Sequence, residues 1–271
     1  MLHPLAGLRG EDPNAEYAAG GWAQLARETF LASVDNKRVH EEGLNAMAMQ
    51  IYAGALAGTG KPTFLDKTPR YYGILPELGR VFPDAHFIIL YRNPIAVMCS
   101  ILRTWVQGEW CRLPHYRFDL LSAPKDLVAG AKMLGERAIT TRFEEFVKAP
   151  QQTLSDLCGR LELSFDERML ENKNEDTFAF GDPGEERATA RPDAMHSERW
   201  MTDVEDPQIW RLASDYLNVL DDSTLRDMGY DRASLCNTLK QRKPPLGATW
   251  MTHSLESLLR PGAMARGDAG Q

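Results

Sequence analysis

A chain of 271 residues, 43% apolar and 25% charged, can bury a sizeable core as one α/β domain with appendages or as two small domains. A formal net charge of −7 argues against a general nucleic-acid binder and still leaves room for a local basic pocket that holds a small anion. No apolar run approaches the ~20 residues needed to span a bilayer, so no membrane span is expected. The start, "MLHPLAGLRGEDPN", lacks the charged and apolar regions of a signal peptide. Cys99, Cys111, Cys158 and Cys236 are scattered, with neither a CxxC pair nor ligand-like spacing. Reduced, structural thiols in a cytoplasm are therefore expected, and no metal site.

Residues 1–20 are punctuated by Gly and Pro and read as irregular. "GWAQLARETFLASV" (21–34) places Trp22, Leu25, Phe30 and Leu31 near helical spacing, and Glu41 to Ala57 reads as a second helix rich in small residues. "GTGKP" breaks that helix, and "TFLD" is predicted as a short strand. "YYGILPELGRVF" is amphipathic and predicted helical. Phe87 to Tyr91 is an unbroken apolar block, the pattern of a parallel strand covered on both faces. A helix follows in "NPIAVMCSILRTW", with Asn93 able to cap it and Pro94 suited to its first position.

One helix is predicted over Phe118 to Leu134, a strand in "RAITTRF", and helices in "APQQTLSDLCGRLEL" and "DPQIWRLASDYLNVL". Between the last two, residues 172–193 are polar and read as a long flap. The composition loosens after about Asp231, which suggests a partly ordered tail. The implied organisation is a mainly helical segment at 1–62, an α/β domain at 63–231 and a C-terminal tail at 232–271. Alternating strands and helices imply a parallel sheet between helical layers, with ligands beyond the carboxyl ends of the strands.

Two stretches put polar groups at that end. In "LYRNPIAVMCS", Arg92 sits just past a strand and Ser100 lies eight residues on, along the helix. Both can face one phosphate, the arginine with a forked, permanently charged donor and the serine with a single hydrogen bond. A surface arginine beside a helix serine fits the same spacing. In "DKTPRYY", Lys67 can set a compact positive charge against a phosphate or sulfate oxygen. Pairing of Asp66 with Lys67 or Arg70 in a solvated turn is the plainer reading. "GALAGTGKPT" imitates a Walker phosphate loop, but Ala55 stands where its first Gly belongs and Pro62 replaces its hydroxyl residue. In "RFEEFVKAP", Phe143 can lean on a flat ring or sit in the core.

Together and in this order, "DKTPRY", the RNP-x5-S block and "RFEEFVKAP" resemble the sulfotransferases that use 3′-phosphoadenosine 5′-phosphosulfate (PAPS), bacterial members above all. "DERML" and "LRDMGYD" also fit, and the resemblance covers about Thr63 to Asp231. It implies that Arg92 and Ser100 hold the 3′-phosphate of PAPS and that Phe143 stands at the adenine, where the family usually has Tyr. It places Lys67 near the transferring sulfuryl group and Arg70, Tyr71 and Tyr72 on the substrate side.

The implied fold is P-loop-NTPase-like, in three layers. Nothing in residues 1–62 matches the family's first strand and "RSGTT"-like loop, so the resemblance implies a chain lacking both. The implied reaction moves a sulfuryl group from PAPS to a hydroxyl or amine of a small molecule, lipid or carbohydrate, leaving adenosine 3′,5′-bisphosphate. A non-catalytic or truncated relative that binds a nucleotide or partner protein is the alternative. An acceptor hydroxyl needs a base. His196, beside the flap, is the first candidate and His40, before the second helix, the next; either can equally be a surface histidine.

Overall fold

The computed structural model describes residues 19–36, 38–171, 191–242 and 255. The chain divides into two compact units, residues 1–85 with 132–137 and residues 86–131 with 138–271.

In the first unit, helices α1 (Ala19–Ser33) and α2 (Val39–Leu56) form where the apolar spacing predicts them. Gly58 and Gly60 follow α2 with φ of 78° and 68°, left-handed values that glycine tolerates and that stop the helix. The GKP sequence thus follows a helix, which a Walker loop does not.

The predicted strand "TFLD" does not form. Residues 63–68 are extended coil with no ladder partner among the described residues, and Leu65 is 76% exposed. Four residues without a paired neighbour hold no strand, and here the side chains supply the anchoring instead. Phe64 stacks on Tyr52 of α2, with 4.4 Å between ring centroids. A 3-10 turn (Tyr71–Ile74) leads into α3 (Leu75–Val81), where Leu75, Leu78 and Val81 are buried. Asn45 of α2 donates to the Val81 carbonyl at 2.8 Å, and Arg80 pairs with Glu41 at 2.8 Å. Arg137 closes this unit by donating to the carbonyls of Phe82 and Gly79 at 2.8 and 3.1 Å.

The second unit carries the sheet. Strands β1 (Phe87–Tyr91) and β2 (Ala138–Arg142) pair in parallel, with Phe87 opposite Ala138 and Tyr91 opposite Arg142. The parallel α/β expectation holds at this scale, as the sheet of the described residues has two strands. Coverage of β1 on both faces does not hold. Ile89 and Tyr91 are buried, whereas Ile88 and Leu90 are 40% and 48% exposed. Successive side chains point to opposite faces, so an unbroken apolar run cannot report that only one face is covered.

Helix α4 (Pro94–Ile101) starts as predicted: the Asn93 side chain accepts from the Ile95 N–H at 3.0 Å and Pro94 takes the first position. It runs into a π-turn (Leu102–Val106) that ends on Gln107 in the left-handed region. The helix predicted over 118–134 is broken at Ser122 into α5 (Arg117–Leu121) and α6 (Ala123–Leu134). After β2 come α7 (Phe143–Lys148) and α8 (Pro150–Arg160). Residues 172–190 of the expected flap lie outside the described residues, as do 1–18 and most of the chain after 242.

Two short helices, α9 (Met195–Glu198) and α10 (Trp200–Asp203), precede α11 (Pro207–Val219), α12 (Asp222–Asp227) and α13 (Arg232–Gln241). Asp206, Asp221 and Asp231 cap the last three by accepting from the backbone N–H of the second or third helical residue. The core of this unit joins Ile95, Met98 and Cys99 of α4 to Leu120, to Leu212, Tyr216 and Leu217 of α11, and to Leu235 and Leu239 of α13. Tyr216 keeps its one polar atom satisfied there, donating to the Leu120 carbonyl at 2.6 Å. Ile95 is fully buried in this cluster. Its replacement by Ala is expected to cost about 2–5 kcal/mol of unfolding free energy, read by urea denaturation of the full chain.

Candidate functional site

The strand register builds a site in the second unit. Because Tyr91 lies opposite Arg142, the next residues, Arg92 and Phe143, leave the carboxyl ends of the two strands side by side. The Arg92 guanidinium lies over the Phe143 ring, 4.4 Å from its centroid. Its Nη2 donates to the backbone carbonyl of His196 at 3.3 Å. Its Nε is buried and has no acceptor among the described residues. Burial holds the guanidinium below an arginine's usual pKa, and the neighbouring Glu144 carboxylate acts the other way. A buried, charged donor left without a partner is costly, and an anion would supply what is missing.

Ser100 stands in the last turn of α4, half-buried, next to the fully buried Cys99. Desolvation pushes the Cys99 thiol up to about 12, so it is inert at neutral pH. Phe143 is thus neither a plain core residue nor a bare surface ring. Its face is occupied by Arg92, and the two form one platform.

Two residues that the sequence did not single out complete this corner. Glu144 accepts from the Asn93 backbone N–H at 2.9 Å and from the Tyr230 hydroxyl at 2.7 Å. Tyr230 follows Gly229, whose φ of 83° makes the turn; a Cβ there would sit 3.0 Å from Cδ of Arg142. Arg142 donates to the Gly229 carbonyl at 2.6 Å and lies 5.8 Å from the Tyr230 ring centroid. Burial, and then the bond to Glu144, raise the Tyr230 pKa, which keeps its hydroxyl protonated. The only sequence signals for these partners were the acidic pair after Phe143 and the turn-like "MGYD".

Of the other candidates, Lys67, Arg70, Tyr71, Tyr72 and His40 belong to the first unit and His196 to the second. Asp66 accepts from the hydroxyls of Tyr52 at 2.5 Å and Tyr71 at 2.9 Å. Burial, followed by the bond to Asp66, raises the pKa of Tyr52; burial is also the main cause for Tyr71. Asp66 therefore pairs with two tyrosines, not in a solvated turn with Lys67. Lys67 itself is exposed on the coil that these bonds pin. Arg70 and Tyr72 are half-buried at the 3-10 turn. His40 stands in the first turn of α2, before Glu41. His196 lies in α9, and Arg92 reaches its backbone oxygen, not its imidazole. The structure thus brings together Arg92, Phe143 and the His196 backbone in one unit, and Lys67, Arg70, Tyr71 and Tyr72 in the other.

The profile of the sulfotransferase family matches residues 7–167, more than half of the chain, which belongs to that family. Nodulation protein NoeE of Sinorhizobium fredii is 38% identical over 88 residues, 32% of this chain and 20% of NoeE. The match spans one fifth of that protein's length. Among solved structures, a sulfotransferase domain from the curacin biosynthetic pathway matches with a TM-score of 0.51 and 20% identity, over 76% of this chain and 78% of that one. This is a likeness of fold. The sulfotransferase domain of the Synechococcus PCC 7002 olefin synthase matches with a TM-score of 0.45 and 21% identity, over 69% of each chain. No helix among the described residues is long and apolar enough to cross a membrane.

Proposed function

We propose that this chain is a sulfotransferase that takes PAPS as donor and acts on a hydroxyl or amine of a small molecule, lipid or carbohydrate. The observation that carries the reading is the buried Nε of Arg92, a nitrogen without an acceptor among the described residues, at the carboxyl end of a parallel strand. Arg92 and Ser100 would hold the 3′-phosphate, the first through its guanidinium and the second through its hydroxyl. The Phe143 ring offers the adenine a flat apolar edge beside the guanidinium. The parallel β1–β2 pair, with helices before and after each strand, supports a P-loop-like α/β reading of the fold.

When bound, PAPS supplies an activated sulfuryl group on a phosphate leaving group. Sulfuryl transfer, like phosphoryl transfer, asks the protein for alignment and for positive charge opposite developing negative charge. Lys67 is assigned that charge by the family resemblance, on a coil that Asp66, Tyr52 and Tyr71 hold in place. Arg70, Tyr71 and Tyr72 are assigned to the acceptor side. His196 is the proposed base that takes the acceptor's proton, with His40 as the second choice.

Two measurements test the reading together: calorimetry with adenosine 3′,5′-bisphosphate, and transfer of label from isotope-labelled PAPS to a panel of alcohols and amines. Binding and transfer are both expected. Binding without transfer to any acceptor would favour a nucleotide-binding relative, and absence of both would overturn the proposal.

A further inference from the structure

We propose that Tyr230 holds the Glu144 carboxylate away from Arg92, so that the guanidinium stays available to a phosphate and does not close an internal ion pair. This positioning role rests on the reading of Arg92 as the 3′-phosphate arginine.

Glu144 follows Phe143, whose ring lies under the Arg92 guanidinium, and its charge is felt at that guanidinium. An acid and an arginine this near, partly withdrawn from water, attract each other strongly. Among the described residues they nevertheless form no ion pair. Each carboxylate oxygen of Glu144 is engaged elsewhere: Oε1 by the Asn93 N–H at 2.9 Å, Oε2 by the Tyr230 hydroxyl at 2.7 Å.

The Asn93 bond comes from backbone fixed at the start of α4, where the Asn93 side chain caps the helix. The Tyr230 bond depends on one hydroxyl. That hydroxyl is placed by the Gly229 turn, whose carbonyl Arg142 holds at 2.6 Å. The raised pKa of Tyr230 keeps it a donor at working pH. Without it, Oε2 would be a carboxylate oxygen lacking a donor, on the residue whose charge already acts on the Arg92 guanidinium. The two would satisfy each other, and an incoming phosphate would have to displace the acid.

The test uses the full chain, calorimetry, and two probes, adenosine 3′,5′-bisphosphate and adenosine 5′-monophosphate. Tyr230→Phe is expected to weaken the bisphosphate about ten-fold, since the phosphate must then displace the released acid, and to leave the monophosphate unchanged. Glu144→Gln keeps an acceptor for Asn93 and removes the competing charge, so alone it is expected to bind the bisphosphate as tightly as wild type or tighter. Combined with Tyr230→Phe, it is expected to restore most of the lost affinity.

If Tyr230→Phe binds the bisphosphate like wild type, or weakens both probes alike without rescue by Glu144→Gln, the inference is overturned and the reading of Arg92 is not. A wild-type chain that does not prefer the bisphosphate overturns both. If Tyr230→Phe does not fold, Glu144→Gln decides, since weaker bisphosphate binding than wild type would sink the inference.

Discussion

Arg92→Ala is expected to lower the affinity for adenosine 3′,5′-bisphosphate by about 10–100-fold, as when a hydrogen-bonded charge is deleted. Affinity for adenosine 5′-monophosphate, which lacks the 3′-phosphate, falls far less. Arg92 is carried past the end of β1 onto the ring of Phe143, and its Nε is left buried without an acceptor. Arg92→Lys keeps the charge but loses the planar fork and its stacking, so it recovers only part of the loss. Calorimetry with both nucleotides measures the split. Equal affinity of Arg92→Ala and wild type for the bisphosphate would remove Arg92 from the site.

Lys67→Ala is expected to lower turnover with labelled PAPS by ~10²–10³-fold, the usual consequence of removing one preorganised charge from a transition state. Its signature differs from that of Arg92. The product, adenosine 3′,5′-bisphosphate, has no sulfuryl group, so its binding is expected to be unchanged by this substitution. Lys67 needs a fixed backbone to act in this way, and Asp66 provides it by taking two tyrosine hydroxyls. Unchanged single-turnover rates in Lys67→Ala would show that the exposed ammonium plays no part. Binding lost together with turnover would point to a role in holding the nucleotide.

Much of the second unit was legible from residue patterns. The apolar block 87–91 announced β1, and Asn93-Pro94 announced the start of α4, because cap and first-turn preferences are local effects. Arg92, Ser100 and Phe143 stood out for the same reason, as polar or aromatic residues at the ends of strongly patterned elements. "TFLD" failed because strand formation depends on a partner, and four residues do not state whether one exists. The division of 118–134 at Ser122 was also hidden, since both helices share an amphipathic pattern across the break.

Glu144 and Tyr230 lie 86 positions apart, and their hydrogen bond leaves no spacing rule that a single sequence could reveal. The pairing of Asp66 with Tyr52 was invisible for the same reason, although both residues were in view. The sequence by itself determined the kinds of chemistry available: a strand-end arginine, a helix serine, a lysine beside an acid, and an ordered set of blocks typical of sulfotransferases. Tertiary structure alone decided which of these groups are satisfied within the protein and which are left open. Asp66 and Glu144 are taken up by tyrosine hydroxyls, while the Nε of Arg92 is buried without an acceptor among the described residues. The physical reason is that a donor's need for a partner is set by its distance from other groups and from water, and only the folded chain fixes those distances.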